Sequence, residues 1–330
     1  MTPTQIVAAL ETLLDIRQPV FLWGAPGVGK SQVVAQVARK RGVALRDIRA
    51  ILLDPVDLRG LPRISESGTS VWCPPGFLPG GKDPERGILF LDELNAAPPL
   101  VQAACYQLVL DRRIGEYVLP EGWTIVAAGN RDRDKAVTHR MPSALANRMV
   151  HLDFETGLDD WLLWAQEAGI RAEVCAFLRF RPKMLHDFDP ASAGKAFASP
   201  RSWEFASNIL ASGPDARVEY ELYQGAVGPA AAAEFMGFLR VWRDLPTVED
   251  ILSAPESAPI PDEPAAVYAL CEALALRAGP DTITALAVYA DRLPAEFSVL
   301  LMRDALCRDT ALVYSDAFSR WAENHADILM

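Results

Sequence analysis

Three short stretches of this sequence hold residues suited to handling phosphate and magnesium. The first is GAPGVGKS, Gly24 to Ser31, which fits the pattern G-x-x-x-x-G-K-S/T. Its glycines let backbone N–H groups curl around the β- and γ-phosphates of a nucleotide at the positive end of a helix. Lys30 adds a point charge, and the Ser31 hydroxyl reaches Mg²⁺. The binding set read from this loop is Gly24, Ala25, Pro26, Gly27, Val28, Gly29, Lys30, Ser31 and Gln32. The second stretch is ILFLDELN, where an apolar run meets Asp92 and Glu93. Two carboxylates at the end of a buried strand are costly unless a cation neutralises them. Asp92 is therefore assigned with Ser31 to the magnesium shell, and Glu93 to orienting and polarising an attacking water. The third is TIVAAGN, whose Asn130 can reach the γ-phosphate or the water from the carboxyl edge of a sheet. As a turn residue before RDRD, Asn130 would be unremarkable.

These residues need a scaffold that brings them to one edge. PVFLWGAPGVGKS followed by SQVVAQVARKRG reads as strand, glycine-rich loop and helix, the helix ending at Gly42. ALRDIRAILLD, GILFLDE (87–93), WTIVAAGN (123–130) and MVHLDF (149–154) read as four further strands, the last of them buried. Near-continuous apolar runs separated by helical segments predict a parallel five-stranded sheet covered on both faces. Two stretches have hairpin character: 61–72, turning at Ser67-Gly68, and 112–123. Before the first strand, Thr2, Pro3 and Gln5 form a helix-start signature, with Ile6, Leu10, Leu13 and Leu14 on one face. From Gly157 onward strand signals stop and the chain reads as helical, with a proline- and acid-rich segment at 246–264. The expected domains are 1–156, an α/β nucleotide-binding domain; 157–245, an all-α lid; and 246–330, a linker and helical extension.

The bulk composition narrows the function classes. At 330 residues and 50% hydrophobic, the chain suits one large or two ordinary domains. A net charge of -11 leaves no overall basic field to hold nucleic acid non-specifically. The five cysteines are far apart and contain no CxxC, which predicts free thiols in a reducing cytoplasm. The four histidines show no metal-ligand spacing. The N-terminus has the features of neither a signal peptide nor an anchor, and no uncharged apolar run is long enough to span a bilayer. The expected location is cytoplasmic, with no membrane partner.

Taken in order, GAPGVGKS, FLDELNAAPPLVQAACYQLVLDRRIGEYVLP, IVAAGN, MPSALANRM and ASPRSW resemble the AAA+ ATPases, and more narrowly their MoxR family. The resemblance covers residues 1 to about 240. It implies a P-loop AAA+ α/β core with an all-α lid, ATP and Mg²⁺ as ligands, Walker A at Gly24–Ser31, Walker B at Asp92 and Glu93, and sensor 1 at Asn130. It further implies an arginine finger at Arg148 and sensor 2 at Arg201. The first hairpin is similar to the family's helix-2 insert and the second to its pre-sensor-1 hairpin. One position departs: the family often has arginine where this chain has Ala96. Physics supports both arginines, since a planar guanidinium meets two oxygens of a transferring phosphoryl group at once. Arg140, in THRMP, competes with Arg148 and ranks second, and the lesser alternative for Arg201 is a solvated arginine at a helix start.

The resulting expectation is an ATP hydrolase acting as a hexameric ring that remodels or activates a protein partner. The resemblance implies a chaperone-like task, often with a von Willebrand factor A domain protein. Two rivals stand beside it. One is a nucleic-acid motor whose hairpins would line a pore with Arg59, Arg63, Arg112 and Arg113, against which the acidic total weighs. The other is an ATP-binding scaffold with little hydrolysis, attractive only if Glu93 is misplaced. A GTPase reading is weaker still, because no N-K-x-D motif is present.

Overall fold

The computed structural model describes residues 1–131, 134, 139, 141–192 and 194–326. The chain divides into two compact units, Met1–Trp161 with Phe188–Ala193, and Leu162–Asp187 with Gly194–Met330.

In the first unit, helix α1 (Pro3–Asp15) starts on a capping box between Thr2 and Gln5, with Ile6 and Leu10 buried. Strand β1 (Val20–Trp23) runs into the glycine loop and helix α2 (Lys30–Arg41), which stops at Gly42 in the left-handed region, φ 61°. Strand β2 (Ala44–Arg49), helix α3 (Pro55–Arg59) and a hairpin of β3 (Leu61–Ile64) and β4 (Ser70–Cys73) follow. Then come β5 (Gly87–Asp92), α4 (Pro99–Asp111), a short hairpin of β6 (Arg113–Ile114) and β7 (Tyr117–Val118), β8 (Trp123–Gly129), the single turn α5 (Ser143–Ala146) and β9 (Val150–Asp153). The main sheet has the order β2-β5-β8-β1-β9, with every pairing parallel.

Side-chain alternation explains why its central strands are apolar throughout. Ile88 and Phe90 of β5, with Val126 and Ala128 of β8, face Val33, Val34 and Val37 of α2 and Ile6 and Leu10 of α1. Leu89 and Leu91, with Ile125 and Ala127, face Val101, Cys105 and Leu108 of α4. Each fully buried Leu, Ile or Phe contributes roughly 1.5–3 kcal/mol, so both layers bind strongly to the sheet. The edge strand β9 differs from its expectation as a buried strand: its residues alternate between half-buried and exposed. Among the described strands β1 alone pairs with it, so it stands at the sheet edge, and the apolar residues beside it, Met149 and Phe154, are buried.

Helix α6 (Leu158–Glu167) runs from the first unit into the second, whose described regular elements are helical: α7 (Ala172–Phe180), α8 (Pro200–Ala211), α9 (Glu219–Val227), α10 (Pro229–Arg243), α11 (Val248–Ser253), α12 (Pro264–Ala275), α13 (Ile283–Ala290), α14 (Ala295–Arg308) and α15 (Asp316–Asn324). Phe177, Trp203, Tyr223, Phe235 and Phe238 interlock edge to face and tilted, with centroids 5.1–5.6 Å apart. A buried ion cluster ties α7 to α12 and α14: Arg179 meets Glu272 at 3.2 Å and also Asp304, while Arg308 meets Glu272 at 2.8 Å.

Candidate nucleotide site

The ends of β1, β5 and β8 are neighbours in the sheet, so their C-terminal loops meet at one edge. Gly29 sits at the start of α2 with φ 100°, and Gly27 has φ 78°, both in the region that favours glycine. Gly24 packs so closely on the chain that an added Cβ would lie 3.1 Å from the Phe154 carbonyl oxygen and 3.2 Å from Val28 Cγ2. The loop is thus drawn tight over the helix N-terminus, where free N–H groups and the helix dipole favour an anion.

Lys30 Nζ donates to the Gly24 carbonyl at 2.7 Å, the Ala25 carbonyl at 3.1 Å and Asn130 Oδ1 at 3.1 Å. Ser31 Oγ donates to Asp92 Oδ2 at 2.9 Å, and the Glu93 N–H donates to Asp92 Oδ1 at 3.0 Å. The structure therefore brings together Lys30, Ser31, Asp92 and Asn130, from one loop and two strand ends. Partial burial of Asp47, then the charge of Asp92, holds the Asp47 carboxyl above the ordinary carboxylate range, with Arg49 opposing. Glu93 is half-buried and has φ 55° and ψ 33°, a left-handed conformation rare outside glycine. Such a backbone persists where its surroundings impose it, and it turns the chain sharply just after Asp92.

Ser31 and Asp92 present hard oxygen donors of the type Mg²⁺ takes, and magnesium normally keeps several waters and shares its shell with phosphate oxygens. Among the described residues no group of three or more His, Cys, Asp or Glu forms a protein cage for a metal. The donor set fits an ion shared with a nucleotide.

A second tier lies behind these residues, which pattern reading did not find. Asn95, buried, donates Nδ2–H to the Asn130 carbonyl at 2.7 Å, and its own carbonyl accepts from the His139 N–H at 2.7 Å. Gln102 donates to the carbonyls of Asn95 at 3.3 Å and Ala97 at 2.9 Å, and Tyr106 donates to Gln102 Oε1 at 2.8 Å. Gly129 makes room for this amide: a Cβ there would fall 2.0 Å from Asn95 Oδ1. Arg131 donates to the Phe154 carbonyl at 3.1 Å and lies 3.2 Å from Asp153. The one available signal was polarity inside an apolar helix, at Gln102 and Tyr106.

Arg148 is exposed in the turn between α5 and β9, and its carbonyl accepts from Gln18 Nε2 at 3.4 Å. Arg201 is exposed in the first turn of α8, whose cap is Ser199. It belongs to the second unit, and Arg148, in the first, lies outside the bonded group of Lys30, Ser31, Asp92 and Asn130. Arg140 lies outside the described residues.

Residues 19–149 match the family model of an AAA domain of the dynein-related subfamily. Among solved structures, the chain is similar to NtrX from Brucella abortus (16% identity, 98% of this chain and 67% of that one, TM-score 0.42). It is also similar to NtrX from the same organism in complex with ATP (13% identity, 98% of this chain and 68% of that one, TM-score 0.42). A RuvB mutant from Thermotoga maritima matches with 14% identity over 97% of this chain and 86% of that one, at a TM-score of 0.35. No described helix is long and apolar enough to cross a membrane.

Proposed function

We propose that the chain is an AAA+ ATPase of the MoxR type that works as a ring and remodels or activates a protein partner, a reading supported by the AAA-domain match over residues 19–149. The observation that carries the catalytic part is the convergence of Lys30, Ser31, Asp92 and Asn130 at one sheet edge through bonds of 2.9 and 3.1 Å.

In this reading the loop N–H groups and Lys30 hold the β- and γ-phosphates of ATP, and Ser31 and Asp92 hold magnesium. The ion neutralises charge developing on the phosphate oxygens when it is bound. Glu93 follows Asp92 directly and, from the left-handed turn, holds the attacking water and accepts its proton as the water oxygen bonds to the γ-phosphorus and the bond to the oxygen bridging to the β-phosphate breaks, releasing ADP. Asn130 is fixed from behind by Asn95, which keeps its amide at the level of Lys30. Arg148, exposed beside the outer strand β9, is suited to reach a neighbouring subunit's phosphates rather than its own. Arg201, at the start of α8, is assigned to the phosphates in cis.

The hairpins β3–β4 and β6–β7 would then face the partner. The acidic net charge of -11 favours a protein over nucleic acid, with a von Willebrand factor A domain protein as the partner class. Specific activity that rises with protein concentration, and an Arg148→Ala protein that binds ATP without that rise, would support a ring with a trans-acting arginine. Activity independent of concentration in both proteins would remove it. Pull-down with a Glu93→Gln trap identifies the partner; stimulation of turnover by DNA or RNA that fades with salt would instead support the motor reading.

A further inference from the structure

The helix that leads to Arg148 cannot hold itself. α5 has four residues, a single turn, and an isolated turn of helix has almost no intrinsic stability. The Leu145 carbonyl accepts from the Arg148 N–H at 3.0 Å, and the Ala146 carbonyl accepts only a long backbone bond, 3.4 Å, from the Met149 N–H. Two side chains from outside the turn supply donors to its carbonyls. Gln18 reaches the Arg148 carbonyl at 3.4 Å, and His151 Nε2 lies 2.8 Å from the Ala146 carbonyl oxygen.

His151 is engaged at its other nitrogen as well. Trp23 Nε1–H lies 2.9 Å from His151 Nδ1, and the two rings stack with centroids 6.0 Å apart. The tautomer follows from the partners. An indole N–H can only donate and a carbonyl oxygen can only accept, so Nδ1 is the acceptor and Nε2 carries the proton. Trp23 is the last residue of β1, one position before Gly24, and its ring is backed by Phe21 at 4.2 Å. Its carbonyl accepts from the Phe154 N–H at 2.7 Å. One imidazole therefore connects the strand that carries the P-loop to the turn that presents Arg148.

We propose that His151 is a positioning residue for Arg148: by accepting from Trp23 and donating to Ala146 it fixes the α5–β9 turn against the P-loop strand. The proposal rests on the reading of Arg148 as a trans-acting finger. Its consequence is specific, because loss of His151 impairs the neighbour's site and leaves the subunit's own ATP binding intact. Misplacing the turn lowers kcat in the neighbour with little change in KM, since the finger acts on the transition state. A loss of about tenfold in kcat corresponds to roughly 1.4 kcal/mol.

A mixed-subunit experiment on the full chain tests this. The acceptor is Arg148→Ala, which keeps its own site but lacks the finger; the donor is Glu93→Gln, which keeps the finger but lacks turnover. Mixing the two should restore phosphate release that neither shows alone. A Glu93→Gln/His151→Leu donor should restore about tenfold less, with unchanged ATP affinity and thermal midpoint. A Glu93→Gln/His151→Gln donor should restore as well as the single mutant, because the glutamine amide offers an acceptor and a donor at the separation of the two ring nitrogens. If the simple donor fails to rescue, the finger reading falls and takes this proposal with it. If the His151→Leu donor rescues fully, His151 does not position the turn and the finger reading stands. If both His151 variants fail alike, or the leucine variant loses ATP affinity or thermal stability, the imidazole acts through packing and the proposal is overturned.

Discussion

Replacing Gly129 with alanine probes the tier behind the nucleotide site. The new Cβ would lie 2.0 Å from Asn95 Oδ1, 2.6 Å from Asn95 Cγ and 2.8 Å from Phe21 Cζ. Phe21 is fully buried in the layer against α4 and has nowhere to go. Asn95 must therefore retreat by more than an ångström to reach ordinary contact, which breaks its 2.7 Å bond to the Asn130 carbonyl. Overpacking of a core costs about 1–3 kcal/mol, and leaving a buried amide unpaired about 1–3 kcal/mol more. The variant should thus be destabilised by roughly 2–6 kcal/mol. Displacing Asn130 should also slow turnover by up to about a hundredfold. ATP binding should fall less, because Lys30 keeps its bonds to the loop carbonyls. Urea unfolding gives the first quantity and phosphate release under saturating ATP the second. Gly225→Ala is the matched control: Gly225 is exposed in α9 with open space around its Cβ position, so alanine should stabilise by about 0.4–1 kcal/mol. A Gly129→Ala protein that unfolds within about 0.5 kcal/mol of the unmutated chain and turns over normally would refute the assigned role of Asn95.

Two further outcomes follow from the buried groups. Burial pushes the thiols of Cys105, Cys175 and Cys271 up to about 12, whereas Cys73 and Cys307 are exposed. A thiol reagent at pH 8 should modify the exposed pair quickly and the other three only on unfolding. Their folded values lie above those of the unfolded chain, so stability should fall as pH rises through about 9 and beyond; flat stability from pH 8 to 11 would contradict this. In the second unit, Arg179→Leu leaves Glu272, 2% exposed, with Arg308, and Asp304, 3% exposed, with the more distant Arg303 at 3.6 Å. Removing one member of a buried ion cluster costs about 3–5 kcal/mol, and a loss below about 1 kcal/mol in chemical denaturation would show the cluster to be solvated.

The parts of the site built from contiguous residues were legible in the sequence. The P-loop is one local pattern, and the apolar runs ending at Asp92 and Asn130 announce strands whose ends must share an edge. Asn95, Gln102 and Tyr106 carry no such signal, because their partners are set by how the chain after β5 folds back under β8. The conformation of Glu93 was hidden for a related reason: a left-handed glutamate is imposed by its surroundings and is not encoded by its own preference. MVHLDF has the pattern of a buried strand because Met149 and Phe154, which flank β9, are core residues, whereas the position of β9 at the sheet edge depends on strand order. His151 looked isolated because both of its partners, Trp23 and the Ala146 carbonyl, are visible only once β1 and β9 lie side by side.

The central claim is that this site hydrolyses ATP through a water held by Glu93. Its most direct test compares ATP binding and phosphate release in the unmutated chain and in Glu93→Gln, at a protein concentration where activity is maximal. ATP affinity should be unchanged and turnover lowered by at least about a hundredfold. Turnover within a few-fold of the unmutated rate would contradict it.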